Sequence, residues 1–167
     1  MKLYRHSAYL LAILLIAALC SCGIYTFSES AVGGAKTIAV PGFENRTSEF
    51  DLEVLLSDKL TQALLTDNTL KVVPQNQGDL VVTGAIVRYD NVPNTYDESM
   101  NVTEYKSVIT LDIKVEYPKT EKILWEDKNL SDFGIYSVVD GETQSDGDER
   151  ALDKLVTEIM NRTVKSW

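Results

Sequence analysis

Cysteine and histidine are the residues that most often carry nucleophilic, acid–base or metal chemistry, and this sequence has two cysteines and one histidine. All three fall in the first 22 residues, as His6, Cys20 and Cys22. Their setting is a short positive segment (Lys2, Arg5), an apolar run from Ala8 to Leu19, and then Leu19-Cys20-Ser21-Cys22-Gly23. The run suits a secretory leader and is too short to span a bilayer, which takes roughly 18 or more residues. An aliphatic residue three before a cysteine and a small one just before it make a lipobox. Leu19 and Ser21 place Cys22 in that frame, whereas Cys20 follows bulky Leu19 directly. The expected chemistry is therefore cleavage before Cys22 and acylation of its thiol, giving a lipid anchor. A Cys20–Cys22 disulfide would close a tight, strained loop.

Removal of such a leader leaves no histidine and no free thiol. That excludes a Ser-His-Asp triad, a Cys-His pair and an ordinary zinc site. No phosphate-cradling glycine loop is present either. The sequence predicts a non-enzymatic protein without a cofactor or a bound metal. The acidic stretch from Asp140 to Glu149 lacks EF-hand spacing. It reads as a solvated lead into a helix, where acids favour the helix dipole. The formal charge is −9, and loss of Lys2 and Arg5 makes the mature chain two charges more acidic. That balance argues against a nucleic-acid partner and against electrostatic adhesion to anionic lipid, so membrane attachment rests on the lipid of Cys22.

One constellation has the type and spacing of a binding surface. Lys106, Lys114, Lys119, Lys122 and Lys128 fall on the polar register of one strand and on the hairpin after it. Lysine meets phosphate as a point charge, so these five are a candidate face for a partner or a phosphorylated glycolipid; a merely solvated sheet face is the plainer alternative. Asp112 and Glu116 sit among them. Tyr96, Tyr105, Tyr117 and Tyr136 suit either an interface or the core.

The elements that position these residues follow from periodicity. Residues 23–35 read as a tether. Thr37 to Val40 is a β-branched strand stopped by Pro41-Gly42, and Thr47 or Ser48 can cap the helix that follows. Leu52, Leu55, Leu56, Leu60, Ala63 and Leu64 share a helical face, and Asp67-Asn68 ends it. Asp79 to Tyr89 is apolar on both faces, as in a central strand. Asp90 to Asn101 reads as a loop. From Glu104 to Tyr117 the odd positions are Tyr105, Ser107, Ile109, Leu111, Ile113, Val115 and Tyr117 and the even ones include Lys106, Thr110, Asp112, Lys114 and Glu116, the pattern of a half-buried strand. Lys122 to Phe133 returns beside it, with Ile123 and Trp125 on the buried side. A last helix from about Asp148, with Asp146 and Glu149 as a capping pair, carries a stripe through Ala151, Leu152, Leu155, Val156, Ile159, Met160 and Val164. The expected organisation is a leader (1–21), a lipidated tether (22–35) and one α+β domain (36–167). That domain has two helices on one face of a four-stranded mixed sheet in the order β-α-β-β-β-α.

Taken in order, these segments resemble the LptE family of lipopolysaccharide-assembly lipoproteins. The resemblance lies in Cys22-Gly23-Ile24-Tyr25-Thr26-Phe27, the run Ile38 to Thr47, Leu52-Glu53 and Leu60 to Leu64, Asp79 to Ile86, Glu104-Tyr105, Leu124-Trp125, the helix from Ala151, and Trp167. It implies two helices on a four-stranded sheet. It also implies an outer-membrane lipoprotein on the periplasmic side that plugs the β-barrel LptD and helps lipopolysaccharide reach the cell surface. The strong acidity departs from a basic lipopolysaccharide site. The run Ile38 to Asn45 followed by a helix is also similar to CsgG-like and LpoB-like lipoproteins, which would imply activation of another envelope machine.

Overall fold

The β-branched and aliphatic runs pair into a single mixed sheet in the computed structural model, which describes Val32 and residues 34–165. The leader, Cys22 and most of the tether lie outside the described residues. Six strands form: β1 (Thr37–Ala39), β2 (Glu44–Asn45), β3 (Lys71–Val72), β4 (Leu80–Tyr96), β5 (Val102–Tyr117) and β6 (Lys122–Ser137). The helices are α1 (Leu52–Asp67) and α2 (Gln144–Met160), the latter followed by a π-helical turn, Asn161–Lys165. The strand order is β3-β1-β4-β5-β6, with β2 also on β4. β1 pairs parallel with β3 and β4, and β4, β5 and β6 form an antiparallel meander.

The expected α+β layering and the central place of β4 are present, but the expectation of four strands is too low. The two additional strands have two residues each. β1 and β2 share one side of β4, opposite Leu80-Val81 and Ala85-Ile86 respectively. Pro41, which has no N–H to donate, and Gly42 at φ 110 separate them. β4 also continues through the expected loop to Tyr96. Pro93 is tolerated there because β2 ends opposite Ile86, leaving no neighbour on β4's other side.

Leu56, Leu60 and Leu64 of α1 and Leu152, Leu155 and Ile159 of α2 pack on Ile86, Ile109, Leu111, Ile113 and Val115. The odd register of β5 is thus the covered one. Val32 and Ala35 are also buried in this core, and the Tyr117 hydroxyl donates to the Val32 carbonyl at 2.9 Å.

Three local expectations are corrected. Ile123 is 44% exposed: the pairing jumps from Val115–Trp125 to Glu116–Ile123, so Leu124 is an extra residue in a bulge and takes the inward place with Trp125. α1 begins at Leu52 after a left-handed Asp51, without a cap from Thr47 or Ser48. Asn45 organises that approach, donating to the Glu49 carbonyl (2.6 Å) and the Glu53 carboxylate (2.8 Å) while Thr47 donates to its Oδ1. α2 begins four residues early, because Thr143 and Asp146 form its capping box in place of Asp146 and Glu149.

Candidate functional site

Both helices lie on one face of the sheet, so the even residues of β5 and their cross-strand partners form a face with no helix over it. Its rows are Thr83–Lys114–Glu126, Ala85–Asp112–Lys128, Arg88–Thr110–Ser131, Asp90–Val108–Phe133 and Val92–Lys106–Ile135. The structure brings Lys106, Lys114 and Lys128 onto this face. Lys119 sits in the β5–β6 turn and Lys122 opens β6 opposite Tyr117.

The five lysines do not make one positive field. Lys114 pairs with Glu116 at 2.8 Å and faces Glu126 across the strands. Lys128 faces Asp112. A shallow depression of about 410 Å³ beside them is lined by Arg46, Lys114 and Lys128 but also by Glu44, Asp112 and Glu126. Lys106 lies eight residues along β5 from Lys114, about 27 Å at ~3.4 Å per residue. There its ammonium stands 5.0 Å from the Phe133 ring centre, with Lys154 over the same ring at 4.3 Å. Alternating charges on a flat sheet hold a surface that carries its own complement. They suit contact over an area and give no point of concentrated attraction for phosphate.

A second polar cluster, missed from sequence, lies on the helix side at the start of α2. The Tyr89 hydroxyl donates to Asp148 Oδ1 at 2.9 Å, with Ser107 Oγ at 3.4 Å, and Asp148 is only 6% exposed. Burial above all, then the Asp148 bond and charge, pushes the Tyr89 hydroxyl well above its ordinary value against the opposing bond from Ser107. It therefore stays a donor. Asn91 bonds the Tyr136 hydroxyl and Gln144 beside it, and Tyr105 stacks on Tyr136. These groups satisfy one another, and they clamp α2 to the sheet. The signal was weak because β4 shifts register between Ile86 and Arg88, which turns Tyr89 and Asn91 toward the helices against the simple alternation. Among the described residues no three His, Cys, Asp or Glu side chains gather as a metal site, and no helix is long and apolar enough to cross a membrane.

The model of the lipopolysaccharide-assembly family LptE matches residues 35–163. The chain belongs to the LptE family. The match spans every strand and both helices, and it decides between the two resemblances in the sequence. Membership makes this a lipopolysaccharide-assembly lipoprotein of the cell envelope. No curated protein matches the chain significantly. Solved structures share its fold at low identity. Lipoprotein B from Nitrosomonas europaea has a TM-score of 0.55 at 10% identity, covering 78% of this chain and 83% of that one. The PelC dodecamer from Paraburkholderia phytofirmans gives 0.53 at 12%, covering 77% and 89%. CT253 from Chlamydia trachomatis gives 0.52 at 11%, covering 77% and 98%. The sheet-and-helix arrangement is thus shared with chains of little sequence similarity.

Proposed function

We propose that this LptE-family chain is anchored through the lipid of Cys22 to the periplasmic side of the outer membrane. There it plugs the LptD barrel and assists lipopolysaccharide to the cell surface without catalysing a reaction. The observation that carries the reading is the helix-free face of the β4–β5–β6 meander. Its strands are 16 or 17 residues long, about 50 Å at ~3.4 Å per residue. A slab of that length, with one face free and internally charge-balanced, fits lateral contact with an enclosing wall. The residues that would make the contact are Lys106, Lys114 and Lys128, with Lys119 and Lys122 at the hairpin end.

The test is genetic and chemical together. Loss of the gene should raise envelope permeability and lower surface lipopolysaccharide, and restoration of the wild-type chain should reverse both. Cys22→Ser should leave an unacylated, uncleaved precursor that fails to restore them, while Cys20→Ser should behave as wild type. Normal permeability and surface lipopolysaccharide in the deletion strain would end the transport reading.

A further inference from the structure

Half of the large hydrophobic side chains exposed among the described residues gather at one end of the sheet: Val92, Tyr96, Met100, Val138 and Val139. Met100 is 75% exposed, Val139 69% and Tyr96 49%. The register explains the gathering. Tyr96 pairs with Val102, and the Val138 amide donates to the Thr103 carbonyl at 3.1 Å, so the residues that follow β6 lie beside the β4–β5 turn. The turn is braced. Asp97 Oδ1 accepts from the Ser99 and Asn101 amides at 2.8 Å each, its Oδ2 accepts from Asn101 Nδ2, and the Asp97 amide donates to the Asn101 carbonyl. Apolar side chains held out by a rigid turn lose little freedom on binding.

Beyond the Val92–Lys106 row, and apart from Arg150, which is held by Glu142, the charge has one sign. Residues 93–105 and 136–141 contain Asp97, Glu98, Glu104 and Asp140, and no lysine or arginine. None of the four joins an ion pair among the described residues. Asp97 and Glu104 keep their charge through neutral donors instead. Glu104 accepts from Thr95 at 2.6 Å and Asn94 at 2.9 Å. Hydrogen bonds, from Asn101 to Asp97 and from Thr95 to Glu104, hold both carboxyls below the usual range. The tip also stands far from the chain's entry. The lead docks through Val32 at Tyr117, and Val102 is at the other end of β5, about 50 Å away. A bilayer with its headgroups is about 40–45 Å thick.

We propose that this tip is a docking surface for a cationic protein face, one that sets lysine or arginine side chains around an apolar patch, and that phosphate-bearing lipid is excluded from it. The proposal rests on the plug reading above and places this contact at the end of the sheet farthest from the lead. Four uncompensated carboxylates repel lipid phosphate at short range, while paired with guanidinium or ammonium groups they can be dehydrated together with Met100, Val139 and Tyr96.

The test uses the lipidated mature chain with the LptD barrel of the same genome, and the mature chain without its acyl groups with vesicles containing phosphatidylglycerol or lipopolysaccharide. Glu98→Lys with Asp140→Lys alters charge at positions that make no ion pair, and Tyr96→Ser with Met100→Ser removes apolar area. Each pair should lower barrel capture tenfold or more, and the charge-altered pair should flatten its salt dependence. For vesicles, the charge-altered pair should bind more tightly than wild type, and the apolar pair should bind no less tightly. Wild-type capture with both variant pairs unchanged would overturn the tip assignment and leave the plug reading standing. Tip variants that lose vesicle or lipopolysaccharide binding would overturn it in favour of a lipid site. A wild-type chain that captures no barrel would overturn both.

Discussion

Gly134 of β6 lies against Gly147 in the first turn of α2, so close that a Cβ on Gly134 would overlap the Gly147 carbonyl oxygen. Two glycines face each other where the helix start meets the sheet, and Tyr89, Ser107 and Asp148 knit the same junction. Gly134→Ala must push backbone against backbone, and should cost about 1–3 kcal/mol as overpacking does. Urea melts of the chain from Val32 onward, which keeps the buried Val32 and Ala35, measure it. An unchanged midpoint would mean that α2 shifts freely over β6.

The register of β5 makes a sharper contrast. Leu111, Ile113 and, from α2, Leu155 are buried, and each truncated to Ala should cost about 2–5 kcal/mol. Lys114, on the helix-free face with a single ion pair to Glu116, should cost at most about 1 kcal/mol. The same melts decide this. Equal losses at Ile113 and Lys114 would place both faces in the core.

What was legible in the sequence was periodic. β5 alternates from Ile109 to Glu116, after an interruption at Ser107-Val108, and both helical stripes are read correctly. What was not legible depends on tertiary pairing. The two-residue strands β2 and β3 have no period to read. Leu124 and the bulge in β4 after Ile86 reverse which side chains face the helices, and nothing in the local sequence marks either. Of the candidate face, the lysines Lys106, Lys114 and Lys128 were placed together from alternation alone. Asp112 is legible in the same alternation, whereas its place opposite Lys128, and that of Glu126 opposite Lys114, follow only from register.

Acid should weaken the α2 start. The Glu142 carboxyl is held down to about 2 from its ordinary 4.5, first by the Arg150 guanidinium and then by the Ser137 amide. The folded chain gives up this proton at lower pH than the unfolded chain. Its contribution is therefore complete above about pH 4.5 and drains away as pH falls toward about 2. Glu142→Gln should flatten the fall in urea midpoint across that window. An identical slope in the variant would assign the acid sensitivity to other groups.

The same arginine guards a sheet edge. β6 is an edge strand, and at its C-terminal half most of the groups that face away from β5 are occupied. Arg150 Nη1 donates to the Ile135 carbonyl at 2.5 Å and Lys154 to the Phe133 carbonyl at 2.7 Å, while the Ser137 and Phe133 amides donate to Glu142 and Asp132. Exposed edges invite strand addition from another chain. Arg150→Ala with Lys154→Ala should add concentration-dependent self-association beyond that of the wild-type chain by light scattering, with helix content retained. A variant that stays monomeric at every concentration would show that the bulge at Leu124, with a second at Asn129 where the pairing jumps from Leu111–Leu130 to Asp112–Lys128, suffices.

The most direct measurement is capture of the LptD barrel by the lipidated chain, with Lys106, Lys114 and Lys128 all changed to Glu in the comparison variant. The helix-free face is the proposed contact, and three reversals on it add like charge beside Glu116, Glu126 and Asp112. The wild-type chain should bring the barrel with it. The variant should fold cooperatively, capture at least tenfold less barrel, and leave surface lipopolysaccharide low. A folded variant with full capture and normal surface lipopolysaccharide would contradict the assignment of this face, and a wild-type chain that brings no barrel would contradict the plug itself.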